Sequence, residues 1–237
     1  MTLRPWALAA LLLLAGLLGG MAAFGLQRLQ PPPGDVRAYL LAHPEILPEA
    51  MEKLRDRETA KLVAEHRDDV FTPYPGMIGG NPKGDVTVVT YMDYACGYCR
   101  ASLPEIERLT ASDSGIRIVY RELPILSADS RTAAAWGVAA AEQGKYLPFH
   151  TALFAAGRPT EAAVMAAAAK AGLDIARARA VVASSEAAAE LDKNLRTAGA
   201  LGMTGTPAWV IGDRIISGAV EQDKLVEAVK AAREKRS

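Results

Sequence analysis

Cysteine is nearly absent from this chain: 237 residues carry two. That scarcity excludes a small scaffold stapled by disulfides, and it leaves the two thiols with no third to pair with wrongly. Histidine is scarce as well. His43, His66 and His150 show no ligand spacing around the cysteine pair. Zinc takes four protein ligands in a structural site, so neither a metal site nor a bound cofactor is expected. Net charge is missing too, because 27 basic and 27 acidic residues cancel. Nucleic-acid partners call for a clustered basic excess, and none is expected here. What the chain does have is apolar material: half of it is hydrophobic, enough for one sizeable core with attachments.

The two cysteines stand together as Cys96-Gly97-Tyr98-Cys99, after the β-rich run Val86-Thr87-Val88-Val89-Thr90-Tyr91 and at the start of a helical pattern. A strand delivering Cys-x-x-Cys to a helix N-terminus is a redox signal. The helix dipole and its free N–H groups favour a thiolate at the first sulfur. A spacing of three puts the second sulfur on the same face, near enough to close a disulfide. A purely structural bridge over two intervening residues would remove little chain entropy.

The chain opens with Arg4 and an uncharged run from Trp6 to Leu26. A lone positive charge, an apolar core and small residues at Gly19, Gly20, Ala22 and Ala23 fit an export signal. The run is also long enough to stay as a membrane anchor. Either way the remainder is expected to be exported, to the periplasm or another extracytoplasmic place, free or anchored to the inner membrane by this segment. Pro31-Pro32-Pro33-Gly34 is a stiff spacer. Asp35 then caps one helix, and Pro44 and Pro48 interrupt before a charged second helix running to about Val70. A polar helix with a narrow apolar seam cannot bury itself alone. Residues 35–72 are therefore expected to serve self-association as a homo-oligomer, the alternatives being a solvated stalk or a linker lying on its own domain.

Beyond the boundary markers Gly79-Gly80-Asn81-Pro82, strands are expected at Val86–Tyr91 and Ile116–Tyr120, with a helix holding Pro104 between them. Alanine-rich helices follow from Ser130 to Ala200. A hairpin of Ala208–Ile211 with Ile215–Ser217 and a helix from Glu221 to Glu234 close the chain. That order is an α/β arrangement on a small mixed sheet. Pro207 precedes the strand at Ala208, and a proline there is either a special turn, often cis, or an ordinary trans stop.

The segments Tyr91-Met92-Asp93-Tyr94-Ala95-Cys96-Gly97-Tyr98-Cys99 and Thr204-Gly205-Thr206-Pro207-Ala208-Trp209, with Tyr120-Arg121-Glu122-Leu123-Pro124-Ile125-Leu126, resemble the DsbA family of thioredoxin-fold thiol–disulfide oxidoreductases. The resemblance covers about 82–235. It implies a thioredoxin fold with a helical subdomain inserted at about 127–200, and a cis bond before Pro207. It also implies Cys96 as nucleophile, Cys99 as resolving thiol, and Gly97, Tyr98, Thr206 and Pro207 around the substrate. His43-Pro44-Glu45-Ile46-Leu47-Pro48-Glu49-Ala50 resembles the N-terminal oligomerisation arm of suppressor-of-copper-sensitivity C (ScsC-like) proteins. The expected division is thus a signal or anchor at 1–26, a linker and helical arm at 27–80, and the thioredoxin domain at 81–237.

Two positions depart from the family pattern. Gly97 stands where strongly oxidising relatives carry proline, and Gly-Tyr between the cysteines is the pair of dedicated isomerases. Thr90 stands where many relatives bury a carboxylate, which leaves Asp93, Glu122 or water to take the Cys99 proton. The expected activity is isomerase or reductase toward exported proteins with cysteines or disulfides, sustained by a membrane redox partner. A dithiol oxidase uses the same atoms. A copper-binding protein is a different class, disfavoured because Tyr94, not methionine, stands two residues before Cys96. A tethered assembly module with a secondary redox site is a third.

Overall fold

The computed structural model describes residues 15–17, 19–21 and 36–235. The Asp35 cap, the proline spacer and nearly all of the run expected as signal or anchor lie outside these. Among the described residues no helix is long and apolar enough to cross a membrane.

The chain divides between Leu54 and Arg55 into two units. The first holds α1 (Val36–Ala42) and the opening of α2 (Ile46–Glu65). Pro48 falls in the first turn of α2, where N–H groups lack intrahelical partners anyway, so the helix starts at Ile46, slightly before the expected opening. Lys53 pairs with Glu49 at 2.7 Å one turn earlier. Leu47, Met51 and Leu54 recur every three to four residues, and all are exposed.

The second unit begins earlier than the boundary expected near residue 80. Val63 of α2 and Val70 of α3 (Arg67–Phe71) are buried in one cluster with sheet residues Val89, Tyr91, Val119, Leu123, Ala208 and Val210. Residues from Arg55 on thus fall in the same compact unit as the sheet. The sheet has order β1-β3-β2-β4-β5, from Ile78–Gly80, Ile116–Glu122, Val86–Met92, Ala208–Ile211 and Arg214–Ser217. β2 and β3 are parallel, and the other three pairings are antiparallel. Both faces are covered, which is why β2 and β3 read as near-continuous apolar runs. Val88, Met92, Ile118 and Trp209 face the main cluster, shared with α4 (Gly97–Ser112), α5 (Ala128–Glu142), α6 (Tyr146–Ala156) and α10 (Gln222–Glu234).

β1 escaped the sequence reading because it is Ile-Gly-Gly, and glycine is depleted in strands. Its glycines answer to close approach. A Cβ at Gly80 would lie 2.5 Å from the Ile116 carbonyl oxygen, and φ there is +64°. Gly80→Ala is expected to destabilise by about 1–3 kcal/mol, seen as a lowered urea midpoint with unchanged slope.

Five helices lie between β3 and β4: α5, α6, α7 (Glu161–Lys170), α8 (Ile175–Val182) and α9 (Ser185–Ala200). Side chains at four of their N-termini close the first turn. Ser127, Thr160, Asp174 and Ser184 accept from the backbone N–H of Ser130, Ala163, Arg177 and Ala187. α5 is the central one. Ala133, Ala134, Ala139 and Ala140 are buried along it, small side chains that admit close neighbours, and Val138 is fully buried among them.

Candidate active site

β2 ends at Met92, and Asp93-Tyr94-Ala95-Cys96 turns the chain into α4. The Cys96 N–H donates to the Asp93 carbonyl at 3.0 Å, so Tyr94 and Ala95 are the central residues of a β-turn that ends on the first cysteine. Asp93 holds this turn in place. Its Oδ1 accepts from the Ala95 N–H at 2.8 Å, and its Oδ2 accepts from Ile125 and Leu126 N–H at 2.9 Å each. Both carboxylate oxygens are therefore occupied by backbone donors.

Cys96 is the N-cap of α4. Its Sγ accepts from the Cys99 N–H at 3.4 Å, and as a thiol it donates to the Thr206 carbonyl oxygen at 3.2 Å. Cys99, one turn on, is fully buried, and burial pushes its thiol well above the ordinary value. Both cysteines are free thiols here.

The Thr206–Pro207 bond is cis, as the family resemblance implies. The Pro207 carbonyl accepts from the Gly218 N–H at 2.8 Å, which ties this loop to the end of the β4–β5 hairpin. Tyr98 is 71% exposed beside the pair. Nothing lies closer than 4.0 Å to a Cβ built on Gly97, so packing does not demand glycine there. The structure thus brings Cys96, Cys99, Gly97, Tyr98 and Thr206-Pro207 to one mouth, at the C-terminal end of β2.

Thr90, six residues before Cys96, is fully buried with no hydrogen-bond partner for its Oγ1 among the described residues. Of the three candidates for the Cys99 proton, Asp93 is committed to backbone donors and Glu122 to phenols.

Sequence spacing gave no sign of the buried polar group behind the turn, whose members are scattered from residue 94 to residue 150. Tyr94 and Tyr146 hydroxyls donate to Glu122 Oε1 at 2.9 and 2.8 Å. Tyr94 Oη also lies 3.2 Å from His150 Nδ1. A phenol has one proton, and if it goes to Glu122, then Nδ1 of His150 must carry the hydrogen that reaches Tyr94. Nε2 is left as an unpartnered lone pair. Burial lifts the Glu122 carboxyl to about 8, against the lowering effect of the two phenols, and burial depresses His150 to about 3.

These two groups set a pH dependence of stability. Glu122 binds its proton more tightly folded than unfolded, so its contribution is complete below the unfolded value of 4.5 and is lost as pH rises toward about 8. His150 works the other way: its contribution is complete above 6.5 and is lost as pH falls toward about 3. Through the Glu122 window, unfolding free energy is expected to fall with rising pH at up to about 1.4 kcal/mol per pH unit, most cleanly above the His150 range. Urea titrations across that range check it, and Glu122→Gln should flatten the slope.

The comparisons with known proteins follow this geometry. The family described as DSBA-like thioredoxin domain matches residues 87–230, and that described as copper resistance protein ScsC N-terminal domain matches 36–61. The chain is similar to a thioredoxin-like oxidoreductase from Silicibacter pomeroyi, with 40% identity, TM-score 0.68, and 71% of this chain and 98% of that one covered. It is similar to a linker-deletion mutant of Proteus mirabilis ScsC, with 26% identity, TM-score 0.68, and 84% and 92% covered. A periplasmic thioredoxin-like protein from Salmonella enterica serovar Typhimurium gives 26%, TM-score 0.63, and 70% and 94%. Among curated proteins, a Na(+)/H(+) antiporter NhaA 3 from Salinispora tropica is 29% identical over 160 residues, 65% of this chain; the chain spans 24% of that protein's length.

Proposed function

Because the chain belongs to the DSBA-like thioredoxin-domain family, we propose that it is a thiol–disulfide oxidoreductase acting through Cys96 and Cys99, in the isomerase or reductase direction. The observation that carries this reading is the asymmetry of the two sulfurs: Cys96 caps a helix against the Thr206 carbonyl, while Cys99 is buried behind it. The Cys96 thiolate attacks one sulfur of a substrate disulfide. A new S–S bond forms as the old one breaks, and the electron pair leaves on the second substrate sulfur, which takes a proton from water. A substrate thiol then attacks the mixed disulfide and rearranges the substrate, or the Cys99 thiol loses its proton and closes the enzyme disulfide, releasing reduced substrate. Burial of Cys99 slows the second route, because the thiolate is the attacking form. That favours substrate rearrangement. The Gly-Tyr dipeptide supports the same direction.

Substrates are extended segments carrying cysteines or disulfides, received by Gly97, Tyr98 and the Thr206-Pro207 backbone. The place of action is extracytoplasmic, supported by the N-terminal apolar run and by the relative described as periplasmic. A membrane redox partner keeps the pair reduced. The test is refolding of a scrambled-disulfide protein by the reduced full chain: recovery of native activity without added oxidant is expected, and an inert reduced chain beside an active oxidised one would make it an oxidase.

The arm makes the protein a homo-oligomer. Leu47, Met51 and Leu54 form a seam that is exposed among the described residues, and the ScsC-type match covers it. Leu47→Glu with Met51→Glu is expected to reduce the sedimenting mass to that of one chain. Isomerase activity should fall while simple dithiol oxidation persists. An unchanged mass contradicts the arm's role.

A further inference from the structure

We propose that Glu122 is a positioning residue for Cys96, acting through the Tyr94 phenol on the turn that ends at the cysteine. The proposal rests on the thiol–disulfide reading above and extends it to a group that touches neither sulfur.

Three features carry it. First, Tyr94 is a central residue of the turn closed by the Cys96 N–H and the Asp93 carbonyl, so wherever its side chain is fixed, the approach to the N-cap is fixed with it. Second, that side chain is buried and ends in a three-group junction: His150 Nδ1 at 3.2 Å and Glu122 Oε1 at 2.9 Å, the latter also receiving Tyr146. Third, the surrounding helix leaves room for this junction and nothing more. A Cβ at Gly137 in α5 would lie 2.9 Å from Glu122 Oε1 and 3.2 Å from the Tyr94 hydroxyl. A carboxylate and a glycine on separate elements thus meet around one phenol.

The groups facing Glu122 are few. From the turn come Tyr94 and the like charge of Asp93; from α6 come Tyr146 and His150. From β3 itself Tyr120 packs its ring against Tyr146 and His150, at 5.5 and 5.0 Å between centroids. From α9, Asn194 donates to the Glu122 backbone carbonyl at 3.1 Å. Arg121, the adjacent cation, is spent elsewhere, on Glu190 and the carbonyls of Asp69, Val70 and Thr72. His150 is held neutral by burial. No cation therefore meets Glu122 among these groups. When its proton leaves, at about pH 8, the two phenols become donors to a full buried charge and shorten toward it. Tyr94 moves with them, and the turn it anchors moves too.

The test is the rate of Cys96 alkylation by iodoacetamide on the reduced full chain, followed with pH across the neutral and mildly alkaline range. The wild-type profile is expected to depart from a single ionisation, with a second inflection near the Glu122 transition. Glu122→Gln keeps an oxygen acceptor but cannot ionise, and should lose that inflection. Tyr94→Phe cuts the link and should lose it as well. Tyr74→Phe, which removes a phenol bonded to Glu142 away from this group, should keep it. Profiles of Glu122→Gln and Tyr94→Phe that superimpose on wild type overturn the proposal, as does loss of the inflection in Tyr74→Phe. If Glu122→Gln fails to fold, Tyr94→Phe decides alone. Exchange with glutathione disulfide, run in parallel, reports separately on the redox reading: an absence of exchange with a normal alkylation profile would sink that reading and leave the positioning intact.

Discussion

Cys96→Ser is expected to lower thiol–disulfide exchange to the uncatalysed background, and Cys99→Ser to leave the first half of the reaction running. A serine hydroxyl at the N-cap keeps the hydrogen bond from the Cys99 N–H, because serine is a good cap. The fold should therefore survive. What disappears is the sulfur that forms the mixed disulfide: a hydroxyl is not ionised near neutrality and cannot make an S–S bond. In Cys99→Ser the attacking thiol is intact and the resolving one is gone. Mixed disulfides with substrate should accumulate and appear as higher-mass bands on non-reducing gels, sensitive to dithiothreitol. The two variants together separate the roles. Exchange retained by Cys96→Ser would refute the assignment, and adducts trapped by Cys96→Ser in place of Cys99→Ser would reverse it.

The second large effect concerns stability and falls on Arg121. This side chain is fully buried on the sheet face opposite Glu122. Nη1 donates to Glu190 Oε1 at 3.0 Å and reaches Asn194 Oδ1 at 3.5 Å. Nη2 donates to the carbonyls of Asp69, Val70 and Thr72, at 2.6 and 3.1 Å for the first two. These are carbonyls at the end of α3, which has no later turn to satisfy them. One guanidinium thus closes a helix end, pairs a buried carboxylate and links β3 to α9. Arg121→Met is expected to cost about 3–5 kcal/mol, the range for breaking a buried pair by removing one partner. Lys193 still pairs with Glu190 at 2.5 Å, so the carbonyls of α3 are the groups most exposed to the loss. Arg121→Lys should recover little, since a point charge cannot span donors in that fork geometry. Urea unfolding monitored by far-UV circular dichroism checks both. A loss below about 1 kcal/mol, the size of an exposed pair, would contradict this account.

How far the sequence revealed this molecule varies with the range of the interaction. Val86–Met92, Ile116–Glu122 and the β4–β5 hairpin were legible because local apolar runs bounded by turn residues specify strands directly. The helical character of the alanine-rich stretch from Ser130 to Ala200 was legible too, and the structure adds the caps at Ser127, Thr160, Asp174 and Ser184 that start four of its helices. The cysteine pair was legible as a motif, and the resemblance pointed to the Thr206-Pro207 loop 110 residues away that lies against it. Three things were not. β1 is a strand built from two glycines, recognisable only once the Tyr120 ring and the Ile116 carbonyl are known to lie against it. The domain boundary sits earlier than composition suggests, because Val63 and Val70 are sparse apolar positions in polar surroundings whose partners come from the sheet. The Tyr94–Glu122–Tyr146–His150 group has no sequence period at all. Adjacent residues Arg121 and Glu122 looked alike in a strand, yet the pleat sends them to opposite faces, one to α3 and α9, the other to the turn behind Cys96.

The measurement that bears most directly on the central claim is a pulse of substoichiometric iodoacetamide on the reduced full chain at about pH 6, with the modified cysteine located by peptide mass spectrometry. A sulfur at a helix N-terminus should react before one buried behind it. Carbamidomethyl on Cys96 with Cys99 unmodified is the predicted result. Modification of Cys99 first, or of both at equal rates, would contradict it.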